Sequence, residues 1–253
     1  MRLHVKAEPI KTEPCAALTF SQIALASRRS GRTGCQPMHI DIYSDTICPW
    51  CFIGKRRLER ALAARPELKV TIRWRAFQLN PWMPATGMPR GEYLKAKFGS
   101  TDAGRIYETI RRVGASEGIE FRFDLIPRTP NTLRSHRMIA HASDAGLQDE
   151  MVEALFNGYF IEGRDIGDPE TLVELAEDAG LDPEEARRCL EGDAGVEAAA
   201  REDAAARGMG IQGVPCFIVD GAYAISGAQE PEYFYPLFDL VASTAPALDN
   251  TSA

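Results

Sequence analysis

Apolar and polar residues alternate along His39-Ile-Asp-Ile-Tyr43, with Ile40 and Ile42 on one side, and this period of two predicts a strand. The spacing then becomes helical. Ile53, Arg57, Leu58 and Leu62 continue a helix until Pro66, and Pro49 suits its first position because the missing N–H would have no intrahelical partner there. A second strand is predicted from about Leu68 to Gln78, with Val70, Ile72 and Trp74 on one face and Thr71, Arg73 and Arg75 on the other. Strand, helix, strand is a βαβ unit, for which a right-handed crossover is expected.

From Asn80 to about Gly208 the pattern is helical throughout. Candidate helices cover Glu92–Phe98, Ala103–Glu117, Pro130–Ala145, Asp149–Phe160, Pro169–Ala179, Pro183–Leu190 and Val196–Gly208. Thr129-Pro130, Asp168-Pro169 and Asp182-Pro183 each place a capping side chain before a first-turn proline, and Glu185 can complete a capping box with Asp182. β structure resumes with Cys216-Phe-Ile-Val219 and Tyr223-Ala-Ile-Ser226. Between them Asp220-Gly221 signals a hairpin, because a type I′ turn needs positive φ at both central positions. A last helix is predicted over Pro231–Val241. The order β-α-β, helices, β-β-α makes an α/β fold. Residues 38–80 and 209–245 form its α/β unit, 81–208 a large all-helical insertion and 246–253 a disordered tail.

Charge separates the first 37 residues from the rest. Six basic residues (Arg2, Lys6, Lys11, Arg28, Arg29, Arg32) against Glu8 and Glu13 give this leader +4, so the remainder carries −11 of the total −7. An acidic body argues against nucleic acid or an anionic membrane as partner. No run approaches the ~18 apolar residues of a membrane span. The apolar stretch Cys15 to Ala26 is broken by Thr19, Ser21 and Gln22, with no small-x-small cleavage site after it, so it does not read as a secretion signal. Residues 1–37 are expected to be a disordered leader or a misassigned start, with Met38 opening the functional protein.

The chain holds six cysteines, Cys15, Cys35, Cys48, Cys51, Cys189 and Cys216, of which only Cys48 and Cys51 are closely spaced. That is not a secreted disulfide framework, and a reducing, cytoplasmic compartment is expected. Cys48-Pro49-Trp50-Cys51 lies where the first strand meets the first helix, so the first thiol faces the unsatisfied N–H groups and positive dipole end of that helix. Cysteines at such positions ionise at about 3.5–7.5 rather than near 8.5. Cys48 is therefore expected to be the nucleophile, and Cys51, one turn along, the resolving thiol. Zinc would need two further ligands at compatible spacing, and neither a second Cys-x-x-Cys nor a His-x-x-x-His exists, so no metal is expected. Gly213-Val214-Pro215 precedes the strand at Cys216, and alone it reads as a strand-edge or turn proline.

Five motifs in order carry a wider likeness: Asp45-Thr-Ile-Cys-Pro-Trp-Cys-Phe-Ile-Gly-Lys55, Phe77-Gln-Leu-Asn-Pro81, Pro130-Asn-Thr-Leu133 with Ser135-His136-Arg137, Gly210-Ile-Gln-Gly-Val-Pro215 and Ile225-Ser-Gly-Ala-Gln229. With these the chain, from about Met38 to Val241, resembles the DsbA family of thioredoxin-fold oxidoreductases, and most closely its FrnE-like branch. The resemblance implies a thioredoxin-like fold with its helical insertion over the redox site, and catalytic roles for Cys48, Cys51 and Pro215. It further implies a cis Val214–Pro215 bond facing the pair, with the Val214 backbone able to pair with an extended substrate. Cys216 departs from the family's usual apolar residue after this proline; it lies near the pair or is a small buried hydrophobe, and the second reading is favoured. Cys189 reads as core.

Around the site, Trp50 beside Pro49 reads as a substrate platform or as a partly exposed helix residue, and its place between the cysteines favours the platform. Asn131 and His136 are candidates to face the site from the insertion, although a lone helical His more often makes structural bonds. Lys55 supports the thiolate by charge or, by default, lies on a solvated helix face. The expected activity is disulfide exchange with protein or low-molecular-weight thiols. It needs no metal or organic cofactor, admits glutathione as co-substrate and is compatible with a homodimer. The alternative is a glutathione-dependent isomerase or transferase, of the related 2-hydroxychromene-2-carboxylate isomerase and kappa-class glutathione transferase group. Those relatives typically carry Ser where this chain has Cys48. A third reading is a peptide-binding module with the pair as redox sensor.

Overall fold

A computed structural model describes residues 37–99 and 104–243. The expectations for the leader before residue 37 and for the tail, with Cys15 and Cys35, lie outside the described residues. In chain order the elements are β1 (Met38–Ser44), α1 (Pro49–Ala63), β2 (Val70–Ala76), β3 (Met88–Pro89), α2 (Arg90–Phe98), α3 (Gly104–Ser116), β4 (Arg128–Thr129) and α4 (Leu133–Asp144). They continue with α5 (Gln148–Phe160), α6 (Pro169–Asp178), α7 (Pro183–Glu191), α8 (Val196–Gly208), β5 (Cys216–Val219), β6 (Tyr223–Ser226) and α9 (Tyr235–Ser243).

The main sheet has the order β2-β1-β5-β6. β1 runs parallel to β2, with Met38 opposite Val70 and Ser44 opposite Ala76, and antiparallel to β5, with Tyr43 opposite Cys216. β1 is thus an inner strand, and Ile40 and Ile42 are buried. The β5–β6 hairpin closes through Asp220 at φ 51° and Gly221 at φ 67°, the two positive values that the turn requires. This is a thioredoxin-like α/β fold with a helical block between β2 and β5.

The main core is continuous from the sheet through α1 into the helical block. Phe52 of α1 stacks on Phe156 of α5 at 5.0 Å and meets Phe121 edge-on, while Phe217 of β5 meets Phe234 edge-on at 5.2 Å. Burying each such ring is worth about 1.5–3 kcal/mol. Charged clamps reinforce α1. Lys55 is buried, not on a solvated face, and pairs with Asp149 at 2.9 Å, with Glu153 at 3.1 Å and with Glu59, tying α1 to α5. Arg57 binds the buried Glu117 carboxylate at 2.9 Å and the Ala228 carbonyl at 2.6 Å. Arg137 reaches from α4 to the carbonyls of Ala194, Cys189 and Gly192, satisfying acceptors in the last turn of α7 and just after it.

Several boundaries differ from the sequence expectations for physical reasons. Thr129 does not cap α4, which starts at Leu133; it pairs with Met88 in a two-stranded β3–β4 ladder inside the helical block. The residue before a proline is pushed toward extended backbone, so Thr129-Pro130 prolongs a strand. Two-residue strands are too short to show a period. Asp168 and Asp182 cap α6 and α7 as expected, accepting from Thr171 N at 2.9 Å and Glu185 N at 2.8 Å. The Glu185 carboxylate turns to Arg188, 3.7 Å away. The last helix begins as a 3-10 turn at Pro231–Tyr233 before α9.

Gly54 lets α1 touch the loop before β5: a Cβ at this position would stand 2.8 Å from Pro215 Cγ. Gly54→Ala is expected to destabilise the fold by about 1–3 kcal/mol in urea melts, the overpacking outweighing the gain in helix propensity. A second prediction concerns acid stability. Burial alone would raise the Glu153 carboxyl, but Arg56 and Lys55 overbalance it and hold the group below its ordinary 4.5. Its contribution is therefore full above pH 4.5 and lost as pH falls through the lower folded value. Glu153→Gln is expected to cost about 1–3 kcal/mol at pH 7, with a wild-type advantage that shrinks in melts below pH 4.5.

Candidate active site

The site forms where β1 ends. Cys48 N donates to Asp45 O and Cys51 N donates to Cys48 O, both at 3.0 Å, which folds Asp45, Cys48 and Cys51 into one corner. Cys48 is the N-cap of α1, in extended backbone (φ −94°, ψ 110°), with Pro49 at the first helical position. Its side chain makes no capping bond to the helix; Sγ lies 3.6 Å from Val214 O. The Val214–Pro215 bond is cis. Cys48, Cys51, Val214 and Pro215, far apart in sequence, therefore meet at one point.

Cys48 and Cys51 are both buried, and both are free thiols. Cys51 is the deeper, 1% exposed. Burial pushes its pKa well above the ordinary thiol value, and its hydrogen bond to Cys48 pushes further. The Ser44 hydroxyl and the Asp45 backbone N–H bond the same sulfur and oppose that rise. Pro49 is half-buried, and Trp50 is exposed over a third of its surface beside the pair.

Behind the cysteines lies a polar layer in which α4 meets the end of β1. Thr46 Oγ1 and Ser135 Oγ are 2.8 Å apart and buried. The Asp45 carboxylate is fully buried; Oδ2 accepts from Leu79 N at 2.7 Å, while Oδ1 faces His136 Nε2 at 3.5 Å. That separation is too long for a proper hydrogen bond, and neither atom has another hydrogen-bond partner among the described residues. His136 therefore reaches the rear of the site through Asp45.

The structure does not bring Asn131 to the cysteines as a free side chain. Its Nδ2 donates to Met83 O at 2.7 Å and its Oδ1 accepts from Leu133 N at 2.9 Å, so both ends hold loops together. Asn80 and Lys97, which sequence reasoning missed, stand closer to Asp45 and Cys48. Lys97 of α2 donates to Asn80 Oδ1 at 3.2 Å, and Asn80 follows the residue bonded to Asp45. Burial lowers the Lys97 amine, and Asp45 and Cys48 lie near enough to push it back upward. Nothing in the local pattern separates Lys97 from the exposed Lys95. Cys216 packs with Tyr43, Phe77 and Ala206 in a cluster apart from the one that holds the pair, and burial raises its pKa to about 11. Cys189 is half-buried and raised by burial.

Among the described residues no cluster of His, Cys, Asp and Glu is arranged to hold a metal, and no helix is long and apolar enough to cross a membrane. A probable DsbA oxidoreductase from Streptomyces coelicolor is similar in structure, with a TM-score of 0.73 and 33% identity over 85% of this chain and 94% of its own. The uncharacterised Bacillus subtilis (strain 168) protein YwbO is 29% identical over 154 residues, which is 61% of this chain and 72% of that protein. The cytosolic disulfide reductase DsbM from Pseudomonas aeruginosa, solved with GSH, shares the fold at a TM-score of 0.58 and 18% identity, over 81% of this chain and 99% of that one. The family model of the DSBA-like thioredoxin domain matches residues 39–236, and the chain belongs to that family.

Proposed function

We propose that this protein exchanges disulfides with protein or low-molecular-weight thiols, using Cys48 as the sulfur that attacks and is attacked and Cys51 as the resolving sulfur. The observation that carries the reading is the position of Cys48: at the N-cap of α1, 3.6 Å from Val214 O beside the cis proline, and hydrogen-bonded to Cys51. The amino end of the helix brings its unpaired N–H groups and positive dipole end to that position. Membership of the DsbA-like family supports the thiol–disulfide oxidoreductase class in general.

In the reducing direction Cys48 Sγ attacks a substrate disulfide, one substrate sulfur leaves as thiolate, and a mixed disulfide remains. Cys51 Sγ then attacks Cys48 Sγ, the bond to substrate breaks, and the second thiolate departs. The oxidising direction reverses these steps, and the reduction potential decides which prevails. Pro215 flanks the reacting sulfurs, the Val214 backbone can pair with an extended peptide, and Pro49 with Trp50 offers it an apolar platform. Glutathione fits as a co-substrate: the GSH-bound DsbM shares the fold, and the half-buried Lys97 cation near Cys48 suits a carboxylate-bearing thiol. The single close-spaced cysteine pair supports a reducing, cytoplasmic setting. The thiol at position 48 argues against the isomerase and transferase reading, in which a serine activates glutathione.

Insulin reduction is expected from wild type and to be lost in Cys48→Ser, while Cys51→Ser is expected to accumulate a mixed disulfide visible by intact mass. Equal activity of wild type and Cys48→Ser would overturn the assignment, and a Cys51→Ser protein that traps no thiol would favour the sensor reading. Lys97→Met is expected to slow reaction with glutathione disulfide roughly threefold to tenfold more than reaction with neutral 2-hydroxyethyl disulfide. Equal slowing of both would remove Lys97 from substrate recognition.

A further inference from the structure

β2 is an edge strand, and along its free side, against α4, lies a partly open cavity of about 210 Å³. The backbone donors of that edge are already taken. Trp74 N donates to Gln148 Oε1 at 3.1 Å and Ala76 N to Glu202 Oε2 at 2.8 Å, so a peptide cannot add itself there as a further strand. An occupant must be small and read by side chains. A cavity of roughly 150 Å³ holds a benzene molecule, so this one has room for a somewhat larger group. Two charges on its walls are uncompensated. Arg75 and Glu202 pair with each other at 2.7 Å, and Arg75 also meets Asp41 at 2.8 Å. Arg73 of β2 and Asp144 of α4 are exposed, and neither side chain makes an ion pair or hydrogen bond among the described residues, with the other or with any third group. Ser143 and Asp144 end α4, where the negative end of the helix dipole adds to the carboxylate. One wall therefore favours an anion and the other a cation. Between them Trp74 and Ile139, both buried, and Ala140 present apolar surface.

We propose that this cavity binds a free α-amino acid with a medium-sized aliphatic side chain. Arg73 takes the carboxylate, for which the planar guanidinium fork is suited. Asp144 and the end of α4 take the ammonium, and the aliphatic side chain lies on Trp74, Ile139 and Ala140. The lining carries two guanidinium groups and two carboxylates, Arg73 and Arg75 against Asp144 and Glu202. A simple anion would meet both carboxylates and a simple cation both arginines, whereas a zwitterion answers the one free charge of each sign. Cys48, Cys51 and Pro215 do not line the cavity, so the site stands independently of the redox reading.

Isothermal titration of the full-length protein with L-leucine at about pH 6.5 tests this, beside leucine methyl ester, which lacks the carboxylate, and isocaproate, which lacks the ammonium. Leucine is expected to bind at least ~10-fold more tightly than either analogue. Arg73→Gln is expected to weaken leucine by ~10-fold and to leave the ester within about twofold of its wild-type affinity; Asp144→Asn is expected to weaken leucine equally while sparing isocaproate. Both side chains are exposed and unpaired, so these variants keep the fold. Ala140→Leu, which narrows the cavity from its exposed wall, is expected to abolish leucine binding, with Ala140→Val as the milder variant if the first does not fold. No heat with leucine up to ~20 mM would overturn the proposal. So would an analogue that binds as well as leucine, a variant that weakens leucine and its matching analogue alike, or unchanged affinity in the Ala140 variant.

Discussion

The junction between β1 and α1 is the constraint on which the rest of the site depends. Two backbone hydrogen bonds, Cys48 N to Asp45 O and Cys51 N to Cys48 O, turn the chain from strand to helix. They fix one carboxylate and two thiols in one corner. The inner position of β1 then brings β5 alongside, because Tyr43 opposes Cys216, and Pro215 immediately precedes that partner. The Cys48 sulfur therefore meets the Val214 carbonyl as a consequence of strand register, and the small Gly54 leaves room for the proline ring against α1.

The helical block is more than a cover over a thioredoxin-like unit. It supplies the wall behind the cysteines through Ser135 and His136 of α4, and a cation from α2 through Lys97. It is also fixed in place by charge. Lys55, buried among three carboxylates, and Arg57 on the buried Glu117 join α1 to α5 and to the segment after α3. Burying such groups is costly unless each is paired, so these clamps hold α1 in one orientation relative to the block. The Cys48 thiol, at the N-cap of α1, inherits that rigidity.

Much of this architecture was legible in the chain. The period-two strands, the helix opened by Pro49, the Asp168 and Asp182 caps and the Asp220-Gly221 turn are local signals, and the structure holds each of them. Thr129 failed as a cap because the same local grammar, a polar residue before proline, serves an extended strand equally well. The burial of Lys55 was not legible, because a lone lysine on a helix carries no mark of the three carboxylates that surround it. Asn131 and His136 lie in one motif region, yet only His136 reaches the rear of the site, while Asn131 closes loops.

By itself the sequence determined the order of the main-sheet strands and of the helices, the strand-to-helix setting of Cys48 and its spacing from Cys51. These properties depend on neighbours within about one turn or one strand. Tertiary structure alone decided that Cys216 packs apart from the pair, that Lys97 comes near Cys48 through Asn80, and that Asp45 Oδ1 and His136 Nε2 meet without a proper hydrogen bond. Each of those outcomes joins residues many positions apart. The packing that joins them is set by the shape of the whole core, which no local periodicity encodes.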